Sequence, residues 1–146
     1  MAATELAQFE EFVIEHSAAS SFASPTVIAR VSSFNVNDTF DVQGVDDFDQ
    51  AAATIIDQVL GGRTVNITFD ANLVPGDAGF QALHTDYAAA TYCYLGIELV
   101  DTQTTATTWT LRFGGYLSQR SVSGQKPVAT VNWQFVASEV ISDQVA

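Results

Sequence analysis

The sequence predicts a mainly β protein, a β-sandwich or small barrel with one short α-helix packed on its sheet. Three observations predict it. Apolar and polar residues alternate through several runs, turn-forming residues separate those runs, and only the stretch after Pro75-Gly76 changes to helical spacing. With 146 residues, 47% of them hydrophobic, the chain is expected to bury a real core as a single domain spanning 1–146.

Two strands come first, EEFVIEHS (10–17) and TVIARVSSF (26–34), joined by the Ser/Ala-rich turn SAASSFASP. The segment 35–62 then gathers Asp38, Asp41, Asp46, Asp47, Asp49 and Asp57 among Val42, Val45, Phe48, Ile55, Ile56, Val59 and Leu60. A solvent loop would not keep so many large apolar residues, and a long excursion usually has a function or structure of its own. It reads as an extended acidic loop or hairpin whose apolar side rests on another subunit. Asp41, Val42, Val45, Asp46, Asp47, Phe48, Ile55 and Ile56 are the candidate inter-subunit residues. The alternative is an amphipathic hairpin folded within the monomer.

RTVNITFDA (63–71) alternates most clearly, with Val65, Ile67 and Phe69 on one side and Thr64, Asn66, Thr68 and Asp70 on the other. Pro75-Gly76 ends that strand, Asp77 is a suitable N-cap, and Phe80, Leu83, Tyr87 and Ala90 make an apolar stripe at helical spacing. So short a helix needs a sheet to lie on. TYCYLGIELV (91–100) is apolar on both sides and reads as a more buried strand. TTWTLRFGGYL sets Trp109, Leu111 and Phe113 against Thr108, Thr110 and Arg112, with a bulge or bend expected at Gly114-Gly115. PVATVNWQFVA sets Ala129, Val131, Trp133 and Phe135 against Thr130, Asn132 and Gln134.

Catalytic and metal chemistry find little footing. No nucleophile elbow, phosphate loop, dinucleotide fingerprint or H-E-x-x-H is present. His84 and Asp86 lie two apart on the helix and face different ways, so with Cys93 they make no site by spacing alone. His16 has no metal-type partner two or four residues on, and Asp46-Asp47-Phe48-Asp49 lacks the order of a calcium loop. Neither an enzyme nor a cofactor is expected. Cys93 is the single cysteine, which excludes an intrachain disulfide. The start of the chain lacks the pattern of a signal peptide, and no run approaches the roughly 18 apolar residues of a spanning helix. A soluble protein made in a cytoplasm, with no membrane partner, is the expectation. Seventeen acids against five bases give a net charge of -12, which excludes tight binding to nucleic acid.

The order of elements resembles the major tail tube protein of long-tailed, siphovirus-type bacteriophages and related archaeal tailed viruses. The carriers are Pro75-Gly76-Asp77, Gln81-Ala82-Leu83, Phe113-Gly114-Gly115-Tyr116 and Val131-Asn132-Trp133-Gln134-Phe135, and the match is best over 63–137. The resemblance implies hexameric rings whose inner strands close into a continuous β-barrel. The rings stack into a virion tail tube, assembled in the host cytoplasm, through which double-stranded DNA passes without tight binding. Other tail proteins (terminator, distal tail and tape measure) would be its partners. It makes Thr64, Asn66, Thr68, Asp70, Thr108, Thr110, Thr130, Asn132 and Gln134 candidates for the lumen lining, with the helix sealing the other side of the sheet. A tail terminator, a head-tail connector, or the inner tube of a contractile injection machine are the neighbouring readings. From another class, a ligand-binding β-sandwich would put its aromatic residues on exposed loops.

Overall fold

The computed structural model describes residues 9–45, 57–101 and 107–145. In chain order these form β1 (Phe9–Ser17), β2 (Thr26–Val27), β3 (Val31–Val45), β4 (Asp57–Asn72), α1 (Ala78–Ala89), β5 (Cys93–Asp101), β6 (Thr107–Gln125) and β7 (Val128–Val145). All strand pairs are antiparallel, in the order β2-β1-β5-β6-β7-β4-β3. The mainly β expectation with one short helix holds.

Two long strands turn this sheet into two layers. The first part of β6 pairs with β5, from Cys93↔Gly115 to Val100↔Thr107, and with the last part of β7. The rest of β6 continues along the first part of β7, whose other side carries β4. Between the two parts the β6–β7 ladder shifts register at Arg112/Phe113, Gly114/Gly115 and Leu117/Gln119. Bulges of this kind bend a strand and strengthen its twist, so β6 and β7 pass from one layer into the other. The expected break at Gly114-Gly115 is one of these shifts.

The predicted strand 26–34 is interrupted. Thr26 and Val27 pair with His16 and Glu15, after which Arg30 takes a φ of 58°. Ile28 donates to the Ile14 carbonyl at 2.9 Å, Asn72 donates to the Arg30 carbonyl at 3.0 Å, and Val31 then pairs with Ala71. The chain thus crosses from one layer to the other within three residues. The acidic excursion is a continuation of the ladder: β3 and β4 stay paired out to Val45↔Asp57, with a bulge between Phe40 and Val42.

One cluster of buried side chains fills the space between the layers. Ile14, Leu95, Ile97 and Phe113 meet Ile67, Phe69, Trp133 and Phe135 there, and Phe12 of β1 lies 4.8 Å from Phe34 of β3 between ring centroids. Helix α1 closes the cluster. Leu83 is fully buried, and Phe80 and Tyr87 meet the Trp133 ring edge-on at 5.8 and 6.1 Å. The Asp77 carboxylate accepts from the Phe80 backbone N–H at 3.0 Å and from that of Ala29 at 3.3 Å, so the cap also ties the helix to the layer crossing. A cap of this type is worth about 1 kcal/mol. Ala90 does not extend the stripe, because it is the left-handed C-cap at φ 52° and is exposed. Trp109 also departs from its expected core position. It sits opposite Val145 on the outermost β6–β7 rung, is 38% exposed, and donates Nε1–H to Asp143 at 2.8 Å.

Candidate functional site

Alternation along a strand gives each layer an outer face made of the residues between the buried ones. In the layer built from β3, β4, the first part of β7 and the last part of β6, register aligns these outward residues into rows. Asn35, Thr68, Gln134 and Gln119 form one row; Ser33, Asp70, Asn132 and Ser121 form the next. Asn72, Thr130 and Ser123 follow on one side, and Asn37, Asn66 and Val136 on the other, with Thr39 and Thr64 beyond. Thr64, Asn66, Thr68, Asp70, Thr130, Asn132 and Gln134 therefore share one face. The sequence reading missed the flanking contributions of β3 and β6, although SSFNVNDTF and SQRSVS carry the same alternation.

No lysine or arginine stands in these rows. The single carboxylate, Asp70, accepts from Asn132 Nδ2 at 2.7 Å and from Ser33 Oγ at 3.2 Å. Thr130 Oγ1 donates to Asn72 Oδ1 at 3.2 Å. The face is wettable, with its side chains partly tied to one another, and it offers phosphate no cation.

Thr110 stands elsewhere. It pairs with Glu98 and Gln144 in the other layer, beyond the bend, and Thr108 lies two residues before it on the same strand. Beside them Arg112 approaches Glu98 at 3.9 Å and stacks over Phe22 at 4.8 Å, so this second outer face is charged.

The four-stranded layer has two open edges. β3 is the last strand of the sheet, and beyond Gly115 β6 pairs only with β7 among the described residues. Exposed apolar side chains accompany both edges. Val122 on β6 is 65% exposed, and Phe40 and Val42 on the β3 arm are 48% and 53% exposed. The arm is stiffened by Arg63, whose guanidinium donates to Asp38 through Nε at 2.8 Å and stacks over Phe40 at 5.4 Å. These hydrogen bonds hold the Asp38 carboxyl below its ordinary range. Of the candidate inter-subunit residues, Asp41 and Val42 are exposed on this arm and Val45 closes its described ladder. Asp46, Asp47, Phe48, Ile55 and Ile56 lie outside the described residues.

The titratable groups of the core assemble differently from any sequence spacing. His84 faces outward, where Arg120 donates to its Nδ1 at 2.6 Å while stacking over Tyr87 at 5.0 Å. His16, which lacks a local partner, finds one 70 residues away: its Nε2 hydrogen-bonds the Asp86 carboxylate in the last turn of α1. Cys93 lies beside them, the three donor atoms all within 4.8 Å of one another. Burial, helped by the Asp86 charge, pushes the Cys93 thiol up to about 12. A buried thiol held protonated is not a nucleophile. The direct His16–Asp86 contact satisfies both groups and pins the end of α1 to β1.

No protein-family model and no curated protein matches the sequence. Solved structures do match in fold. The SPP1 tail tube superposes with a TM-score of 0.67 at 12% identity, over 90% of this chain and 74% of that one. A chain of the anti-feeding prophage cap, described as a tube terminating cap, gives 0.70 at 14% identity over 100% and 95%. A chain of the sheath-tube complex of an extracellular contractile injection system, PVC, gives 0.68 at 13% over 98% and 94%. At such identities the likeness is one of fold, and that fold is found in phage tails and contractile injection systems.

Proposed function

We propose that this chain is the tail tube subunit of a long-tailed, non-contractile phage or archaeal tailed virus. Six copies join through the open edges of the four-stranded layer, β3 of one copy beside the last part of β6 of the next. The cation-free polar face bounded by those two edges carries this reading. Closure would pair both exposed ladders and cover Val122, removing the aggregation hazard that a free edge presents.

The dimensions agree. Four strands from each of six copies make a barrel of about 24 strands, and at about 4.8 Å per strand its wall is roughly 115 Å around before tilt widens it. A bore of that size admits a duplex, and a lining without cations lets it slide, because each basic contact to phosphate adds affinity and therefore drag. The tube would form part of the virion tail, assembled in the host cytoplasm and bounded at its ends by other tail proteins. In this reading the chain is a structural component with no catalytic role.

A second reading, a ring that ends the tube, is favoured by the full-length superposition on the tube terminating cap. Negative-stain microscopy of the concentrated protein separates the two. Tubes of indefinite length are expected from a tube subunit and single rings from a cap; monomers with no shared sheet at any concentration or salt would overturn both. Within the tube reading, Thr68→Lys and Asn132→Lys are expected to leave tube length unchanged and to slow DNA ejection, since each would place six cations per ring in the bore. Ejection kinetics equal to the parent for both variants would remove this face from the lumen.

A further inference from the structure

The inward row of β1 reads Phe12, Ile14, His16, and the first two pack in the core between the layers. Alternation thus turns an imidazole toward the apolar side of the sheet, where His16 is only 6% exposed. Its rung partner on β5 is Leu95, and two residues before Leu95, on the same face, stands Cys93, 1% exposed. The end of α1 lies over this corner. The Ala90 N–H donates to the Tyr87 carbonyl at 3.2 Å and the Thr91 N–H to the Asp86 carbonyl at 3.0 Å, which fixes the short turn from helix to β5. Asp86 meets His16 Nε2, and one donor atom from each of His16, Asp86 and Cys93 lies within 4.8 Å of the other two.

Pinning the helix needs only the imidazole and the carboxylate. The thiol adds a third donor, and nitrogen, sulfur and oxygen together suit a borderline divalent ion such as zinc. Calcium and magnesium take about six or more oxygens, and this corner offers a single carboxylate. The charges also close. A divalent ion with one thiolate, one carboxylate and a neutral imidazole makes a site of zero net charge, which buried surroundings tolerate. Bonds of about 2.0–2.3 Å space such donors at roughly 3.3–3.7 Å, so side-chain shifts of about 1 Å bring all three into place. The Asp86 side chain, 18% exposed, has room to swing and gives an ion its way in.

We propose that His16, Asp86 and Cys93 bind one zinc ion per chain through Nε2, a carboxylate oxygen and Sγ, with water in the fourth position. The ion takes the place of the proton between His16 and Asp86. The imidazole keeps its proton on Nδ1, and the thiol proton passes to solvent as the sulfur–zinc bond forms. No electron is transferred, because zinc has no redox chemistry. Bound there, the ion ties β1, α1 and β5 together from the inside and stabilises the fold by its binding free energy. The site is complete within each copy, so it does not depend on how copies assemble.

Cobalt(II) and zinc titrations of the reduced protein test it. One equivalent of cobalt is expected to raise a thiolate-to-cobalt charge-transfer band in the near ultraviolet, which added zinc removes by displacement. Carboxylates on the surface that hold cobalt give no such band. Zinc at about a hundred times its Kd is expected to raise the melting temperature by about 5–10 °C. Cys93→Ala is expected to abolish the band. Asp86→Asn keeps a hydrogen-bond acceptor for His16, so it should melt near the parent without metal yet bind zinc at least about tenfold more weakly. A parent protein that shows no band with cobalt would overturn the proposal without recourse to any variant. Zinc that stabilises Cys93→Ala and Asp86→Asn as much as the parent would overturn it too.

Discussion

Gly115→Val is expected to leave little or no folded protein. A Cβ at position 115 would lie 2.0 Å from the Val136 carbonyl oxygen and 2.9 Å from the Ala137 Cα, both backbone atoms on the neighbouring rung of β7. Neither can rotate aside, so the β6–β7 ladder must part at the register shift that bends both strands between layers. Losing that bend separates Leu111 and Phe113 from Leu117, and Trp133 and Phe135 from Val140, splitting the core. The expected cost exceeds about 4 kcal/mol, a large part of what a domain of this size has in reserve. Gly114→Ala is the control. Its Cβ meets only side chains: Tyr92 Oη at 2.6 Å and Glu139 Oε1 at 2.7 Å, movable ends bonded to each other at 2.8 Å, and the Tyr94 ring at 2.9 Å. That variant should fold with a modest loss. Soluble yield and thermal melting distinguish the pair, and a Gly115→Val protein that melts within a few degrees of the parent would refute the close approach.

Trp133→Ala should cost about 3–5 kcal/mol, the range for truncating a large buried aromatic side chain. Trp133 has no solvent exposure and joins the helix to the sheet, with Phe80 and Tyr87 edge-on and the Arg120 guanidinium 5.9 Å from its ring. Its Nε1–H has no hydrogen-bond partner among the described residues, so Trp133→Phe removes that polar group along with some volume. Phenylalanine should therefore recover most of the stability. Urea denaturation monitored by circular dichroism measures both variants. An alanine midpoint equal to the parent's would show that the helix does not depend on this ring, and a phenylalanine midpoint as low as alanine's would overturn the rescue.

Much of this was readable from local pattern. Val65, Ile67 and Phe69 advertise β4 through alternation, Asp77 advertises the start of α1, and Gly114-Gly115 marks the bend. What depended on distant pairing was hidden. Nothing near Arg30 signals a strand break, because no glycine or proline stands there to mark its positive φ. Alternation places Trp109 with Leu111, yet Trp109 stands on the outermost β6–β7 rung and is exposed. Thr110 reads like Thr68, and only the passage of β6 between layers puts the two on different faces. The joining of Asn35, Thr68, Gln134 and Gln119 into one row depends on β4 lying beside β7 rather than its sequence neighbour β5. His16 and Asp86 belong together for a similar reason, brought into contact where α1 docks on β1.

The 16 rungs of the β6–β7 ladder run without interruption by a loop from one layer into the other. No hinge exists there, and sliding the layers would shear many backbone hydrogen bonds at once instead of peeling them singly. Each copy should behave as a rigid brick, and a column of such bricks yields to bending at its mortar.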